Sequence, residues 1–296
     1  DESKHQEVND EVKYQREIKV KETSGFLGIE IEKMSDGGIK LSQPAYAKRV
    51  LERFNFENCK AVTTPMIKVK DSNCAESGKV NASLSYRQMI GTRPDLAFSV
   101  GYLSRVLDKP STEDIIRVKR VFRYIAGTIN KGIVYKPDYK PGELECYSDA
   151  DFGGCMATGR STSGVLVLYA GGAVSWLSQK QAVVATSTTE SEIIAATEAT
   201  KELIWLKRLF CDIIQLKCAP VLQVDNTSAI KLAQNPEFHR RTKHIDLRYF
   251  FVREKVTDGS IEINQISTEH QLADVFTKPL DKVRLGTLCE RMGLYD

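Results

Sequence analysis

The sequence predicts an α/β fold: a mixed five-stranded sheet with flanking helices in the second half, preceded by a smaller α+β and helical segment. Two observations carry this reading. After the Pro/Gly/Lys-rich stretch "KPDYKPGE" (136–143), Leu144 to Asp149 alternates as a strand, two more short strand runs follow around Gly171-Gly172, and from there helix-period and strand-period runs take turns to the C-terminus. With 296 residues, of which 42% are hydrophobic, the chain also has apolar side chains enough for a core of that size.

In chain order, residues 1–17 are polar and predict a frayed or helical leader. "GFLGIEIEKMSDGGIKLSQ" (25–43) alternates on both sides of Asp36-Gly37-Gly38, a hairpin signal. "SQPAYAKRVLERFNF" (42–56) puts Tyr46, Val50, Leu51 and Phe54 on one helical stripe, with Ser42 as N-cap. Residues 59–81 hold turn formers without periodicity and read as a loop. From Leu84 to Thr128 the pattern is helical, broken at Pro94 and Pro110. Its clearest helix, "TEDIIRVKRVFRYIAGT" (112–128), aligns Ile115, Val118, Phe122 and Ile125 and ends before Gly127. Beyond 143, strands are expected at 144–149, 164–169 and 173–177, then a helix at about 188–210. A strand in "APVLQVD" (219–225), a short helix from Ser228 to Ala233 and a helix in "TKHIDLRYFFVREKV" (242–256) follow. A strand in "SIEINQIS" (260–267) and a terminal helix starting in "TEHQLADVFTKPL" (268–280) complete the mixed sheet and its cover.

A net charge of +3 is too mild to identify a nucleic-acid binder, and it does not oppose a polyanionic partner. Seven cysteines, odd in number, scattered and without a CxxC pair, point to reduced thiols in an intracellular protein, cytoplasmic or nuclear. They argue against a disulfide scaffold or a zinc ribbon. The charged N-terminal stretch has no apolar run of the kind a signal peptide or membrane anchor needs, so no membrane partner is expected. The first residue is Asp rather than Met, as in a piece of a longer product.

The acids of the second half fall where elements end. Asp149 closes the first strand, Asp225 the fourth, Glu190 and Glu192 lie at the start of the long helix, and Asp274 opens the last one. Singly, each has an ordinary explanation. Glu190 and Glu192 complement the helix dipole, Asp225 with Asn226-Thr227-Ser228 supplies turn and cap chemistry, and Asp274 is a solvated helix residue. As a set, carboxylates converging on one sheet rim repel one another unless cations neutralise them. Hard divalent ions with oxygen ligands, Mg²⁺ or Mn²⁺, are the matching partners. Two such ions activate water and stabilise the leaving oxygen in phosphodiester hydrolysis.

"YSDADFGG", "GRSTSGVLVLYAGGAVSWLSQKQAVVATSTTESEIIAATEA", "VDNTSAIKLAQNP", "RTKHIDLRYFFVRE" and "STEHQLADVFTKPL" together resemble the ribonuclease H domain of copia-type LTR retrotransposon Pol polyproteins, in that family's order through residues 141–294. Upstream, "FLGIEIEKMSDGGIKLSQPAYAKRVLERFNFENCKAVTTPM" resembles the tail of the same family's reverse transcriptase, and "TRPDLAFSVGYLSRVLDKPSTEDIIRVKRVFRYIAGT" its joining segment. The resemblance implies a C-terminal remnant of reverse transcriptase in 1–66, a helical connection segment and linker in 67–140, and a ribonuclease H-like domain in 141–296. The family's Tyr-x-Asp-Asp polymerase signature does not occur in this chain, which implies no DNA polymerase activity from this polypeptide alone.

For the site, the resemblance implies catalytic and metal-binding roles for Asp149, Glu192, Asp225 and Asp274, with two Mg²⁺ or Mn²⁺ ions. Glu192 fits the family's helix pattern better than Glu190, and Asp151 stands behind the ligands. The implied reaction is hydrolysis of the RNA strand of an RNA–DNA hybrid, leaving a 3′-hydroxyl and a 5′-phosphate. Selectivity then requires reading 2′-hydroxyls across a shallow minor groove. Candidate substrate contacts are Arg160, Ser161, Thr162, Gln179, Lys180 and Asn226, each with an ordinary reading as a surface polar residue. "HRRTKHID" (239–246) gathers basic residues at a helix start, either as a phosphate clamp using Lys243 and His244 or as a solvated basic turn.

Between "YRQMIG" and "TRPDLAF" the family carries a further apolar run. Here Gly91 joins Thr92 directly, which predicts exposed apolar surface or loosened docking of residues 18–130. The leading function is a retrotransposon-derived ribonuclease H that associates with the reverse transcriptase half of a Pol polyprotein. Its rivals are a catalytically silent nucleic-acid-binding or interaction remnant and a DNA-strand transferase of the integrase type. Against the latter stand the lack of a zinc-binding His/Cys module and the "ADVFTKPL" ending.

Overall fold

The Asp36-Gly37-Gly38 signal makes a turn because Gly37 takes φ +82° and the Asp36 carboxylate accepts from the Gly38 amide at 2.9 Å. The computed structural model describes residues 25–26, 28–67, 91–107, 110–214, 216–234 and 246–296. Strands β1 (Gly25–Phe26), β2 (Ile29–Lys33) and β3 (Ile39–Ser42) pair antiparallel around that turn. Helix α1 (Pro44–Arg53) follows, with Gln43 rather than Ser42 as its N-cap. Ser42 is taken by the β3 ladder, where it pairs with Glu30, and the preset φ of Pro44 suits a first helical turn.

On the far side of the Gly91-Thr92 junction, the expected loss of cover does not occur, since residues 92–100 are all buried. The Thr92 hydroxyl donates to Gln43 Oε1 at 3.1 Å. Arg93 pairs with buried Asp95 at 2.9 Å, and Asp95 also accepts from the Tyr124 hydroxyl at 2.7 Å. Helix α2 (Ala97–Leu103) and helix α3 (Thr112–Ala126) carry the apolar stripe onward, the latter opened by a reciprocal Ser111–Asp114 capping box. Strand β4 (Gly132–Tyr135) then pairs with β3, in a stretch that reads as linker in the sequence. Its first three residues are buried, so it shows no alternation by which to recognise it.

The second half contains β5 (Leu144–Ala150), β6 (Thr162–Tyr169), β7 (Gly172–Lys180), α4 (Thr188–Ile213), β8 (Val221–Val224), α5 (Thr227–Gln234), α6 (Asp246–Thr257) and β9 (Glu262–Gln265). A 3-10 turn at Leu272–Phe276, α7 (Lys282–Arg291) and β10 (Leu294–Tyr295) end the chain. The sheet order is β7-β6-β5-β8-β9, antiparallel from β7 to β5 and parallel from β5 to β9. This is the expected mixed five-stranded sheet with flanking helices. The terminal helix, expected to start within 268–280, begins only at Lys282, so Asp274 sits in the 3-10 turn instead.

The two faces of that sheet bury different residues, as period-2 alternation requires. Leu144, Cys146, Val165 and Val167 pack with Leu203, Leu222, Tyr249 and Ile263. Tyr147, Leu166, Leu168 and Ala173 instead join a core with Leu96, Phe122, Ile125, Phe276 and Leu288. The second face is thus covered by α2, α3 and the C-terminal turn. β10 pairs with β4, so the last strand closes onto the first sheet. Among the described residues, no helix is long and apolar enough to cross a membrane.

A chain starting at residue 141 would leave Leu166, Leu168, Phe276 and Leu288 without their partners from 96–133. It is expected to aggregate on size-exclusion chromatography or to melt roughly 10 °C or more below the full chain. A fragment as stable as the whole would mean that this face needs no cover.

Candidate metal centre

Asp149 lies two residues beyond Tyr147 on one face of the central strand β5, and there it is buried, with 5% of its surface exposed. Glu192 comes from α4, whose start is set by Ser187: its hydroxyl accepts from the Glu190 amide at 3.1 Å. The Glu190 carboxylate turns back to accept from the amide and hydroxyl of Thr186 at 2.6 and 2.7 Å, which fastens the helix start. Glu192 is therefore the acid of this pair that meets Asp149. Asp225 follows β8 and is half-buried. Carboxylate oxygens of Asp149, Glu192 and Asp225 lie within 4.8 Å of one another.

Such crowding has electrostatic consequences. Burial pushes the Glu192 carboxyl up to about 9, with the charges of Asp149 and Asp225 adding to the rise. Burial also drives Asp149 well above the usual carboxylate range, while Lys278 pulls against it. The Thr277 hydroxyl donates to Asp149 Oδ2 at 2.5 Å and the Thr268 hydroxyl to Asp225 Oδ2 at 3.1 Å. Glu192 Oε2 is buried with no hydrogen-bond partner among the described residues. An all-oxygen donor set with an orphaned oxygen, and with burial and mutual repulsion that raise two of its carboxyls, fits a hard divalent cation.

Asp274, the fourth expected acid, is not in this group of three. It is buried in the 3-10 turn, with Oδ1 2.6 Å from Lys278 Nζ and Oδ2 3.1 Å from the Arg284 guanidinium. The turn is held against β5 by Gln271, whose Nε2 donates to the Ser148 carbonyl at 2.9 Å. Gly164 stands opposite Asp149 in the β5–β6 ladder. A Cβ there would come within 2.8 Å of the Ala273 carbonyl oxygen and of Thr277 Cγ2, so glycine lets the turn lie close enough for Thr277 to reach Asp149.

Of the expected substrate contacts, Gln179 is exposed and Arg160 and Lys180 are half-buried near the ends of β6 and β7. Ser161 and Thr162 are corrected: at 0% and 1% exposure, their side chains are buried structural groups. Ser161 Oγ accepts from the Gly153 amide at 3.0 Å, and the Thr162 amide donates to Asp151 Oδ1. Asp151 thus fastens the loop after β5 and stays outside the acid triad. Asn226 caps α5, its Oδ1 accepting from the Ala229 amide at 3.0 Å. Lys243 and His244 lie outside the described residues.

Sequence reasoning missed Thr277, Lys278, Gln271 and Gln181. Gln181 Nε2 bridges Ser163 Oγ and the Ser191 carbonyl at 2.9 and 3.0 Å, tying the end of β7 to the start of α4. A signal existed for Thr277 and Lys278: they follow Asp274 by three and four residues, the spacing that returns a side chain over the same turn.

No family model matches the chain. Over 270 residues it is 39% identical to the retrovirus-related Pol polyprotein from transposon TNT 1-94 of Nicotiana tabacum, covering 86% of this chain and 20% of that protein. Over 277 residues it is 36% identical to the corresponding polyprotein from transposon RE1 of Arabidopsis thaliana, covering 91% of this chain and 19% of the relative. The chain spans about a fifth of the length of these curated relatives. Among solved structures, LC11-RNase H1, isolated from compost, is 14% identical with a TM-score of 0.37, covering 46% of this chain and 93% of that one.

The repulsion sets a pH dependence. The folded protein holds protons on Glu192 and Asp149 that the unfolded chain has already released, so stability of the metal-free protein is highest near ordinary carboxylate pKa values and falls as pH rises toward about 9. Asp149→Asn removes one charge and is expected to raise the Tm of the metal-free protein at pH 8.5 by several degrees, about 1–2 kcal/mol, and by less at pH 5. Thermal unfolding in chelator checks this; an unchanged or lower Tm at pH 8.5 would contradict it.

Proposed function

The chain belongs to the family of copia-type retrovirus-related Pol polyproteins, with which it is homologous over most of its length, and from that premise we propose that it hydrolyses the RNA strand of RNA–DNA hybrids as the ribonuclease H-type part of such a polyprotein. In this reading residues 141–296 are the nuclease unit, 67–140 the connection segment and 1–66 the tail of the reverse transcriptase. The observation that carries it is the convergence of Asp149, Glu192 and Asp225 at one end of the sheet.

Mg²⁺ or Mn²⁺ held by these three carboxylates, two ions in the full reaction, would activate water and neutralise charge on the scissile phosphate. The chain's own groups do the rest. Thr277 holds one oxygen of Asp149 in place, and Glu192 presents its unpartnered oxygen into the same space. Gln179 offers an amide that can both donate to and accept from a 2′-hydroxyl, the group that distinguishes RNA from DNA. Arg160 and Lys180 supply positive charge for the phosphates on either side. The partners are the hybrid and the upstream reverse transcriptase half of the polyprotein.

The test is cleavage of a labelled RNA–DNA hybrid in Mg²⁺ or Mn²⁺, beside matched RNA–RNA and DNA–DNA duplexes. Hybrid-specific cutting is expected, falling about 10³-fold or more in Asp149→Asn and Glu192→Gln. Glu190→Gln, whose side chain binds Thr186, should stay within roughly tenfold of the parent chain. A folded chain that leaves the hybrid intact would favour the catalytically silent remnant, and a Glu190→Gln loss larger than that of Glu192→Gln would reverse the assignment of the helix acid.

A further inference from the structure

Asp274 stands apart from the other three acids because two cations already hold it. Lys278 Nζ lies 2.6 Å from Oδ1 and the Arg284 guanidinium 3.1 Å from Oδ2, and the carboxylate between them is 5% exposed. Arg284 is anchored a second time, on the Thr268 carbonyl at 2.7 Å, beside the hydroxyl that Asp225 accepts from. Among the described residues Lys278 has no such second anchor. Its charge interacts with Asp149, Asp225 and Asp274, and it acts in turn on Glu192.

We propose that Lys278 is a built-in counter-cation of the acid site, tethered by Asp274, which sets how many divalent ions the substrate-free protein holds and how tightly. The inference rests on reading the acid cluster as a metal centre. Once an entering ion has displaced the protons from Asp149 and Glu192, four carboxylates against two cations leave two negative charges, which that single divalent ion neutralises. A second ion entering without a polyanionic substrate would meet a site with no negative charge left to offset it. Lys278 therefore limits the free protein to one ion. Its ammonium repels that ion while relieving carboxylate repulsion when no ion is bound. Arg284, on the far oxygen of Asp274, completes the tether that keeps the lysine in place.

The test is calorimetric titration of Mn²⁺ into the full, substrate-free chain, with thermal unfolding of each variant in chelator as a second readout. The parent chain is expected to bind one ion. Lys278→Met should bind Mn²⁺ about tenfold or more tightly, or take up a second ion, and should melt lower than the parent when metal-free. Lys278→Arg, which keeps the charge, should bind within roughly threefold of the parent. Lys278→Gln replaces the Met variant if that one does not fold, with the same expectation. Parent and Lys278→Met chains binding Mn²⁺ equally, or the variant more weakly, would overturn the counter-cation role while leaving the metal centre standing. No binding by any of them would overturn both readings.

Discussion

Two buried carboxylates with a third within 4.8 Å is the constraint on which this structure turns. Left to themselves the three would separate or draw water inward, since burying like charges together is strongly unfavourable. The surrounding fold removes those options. β5 is the central strand, and Asp149 is held in its ladder with β6 opposite Gly164, so its backbone cannot retreat. Glu192 is fixed by a helix whose first turn is capped by Ser187 and fastened through Glu190, and Gln181 locks that turn to the edge of the sheet. The 3-10 turn at Leu272–Phe276 closes the remaining side and brings both the hydroxyl of Thr277 and the ammonium of Lys278.

That arrangement explains why the two halves of the chain share a core. The turn that carries Thr277 lies on the sheet face that α2 and α3 also cover, and Phe276 packs in the same cluster as Leu96, Phe122 and Ile125. The Phe276 carbonyl accepts from the Ser178 hydroxyl at 2.6 Å, which sets the turn's height over β7. α2 and α3 therefore act on the acid site through packing, by holding the turn at the height where Thr277 and Lys278 reach. A local rearrangement of α2 would be transmitted to Asp149 through one layer of side chains.

Much of this was legible in the sequence, for identifiable reasons. β5 alternates, β6 is a continuous apolar run between turn residues, and Asp149 and Asp225 fall at the ends of their strands, so pattern and position together picked them out. β4 was not legible: a four-residue strand whose first three residues are buried carries no alternation, and its partners β3 and β10 are remote in sequence. The helix pattern around Glu192 already favoured it over Glu190, and the Thr186 contact supplies the physical reason by occupying the Glu190 carboxylate. Asp274 was found as an acid but misplaced as a helix opener, because Pro279 delays the helix to Lys282 and a 3-10 turn has no sequence period long enough to read. Ser161 and Thr162 look like surface polar residues beside Arg160. They are buried because the loop between β5 and β6 folds back on itself around Asp151.

The central claim is that the acid triad is a cation site. Anomalous scattering from crystals of the full chain grown with Mn²⁺ tests it most directly. A manganese peak coordinated by oxygens of Asp149, Glu192 and Asp225 is expected, at distances of about 2.1–2.2 Å. A well-ordered site without a peak at saturating Mn²⁺, or a peak elsewhere with the three carboxylates bonded only to protein and water, would contradict it.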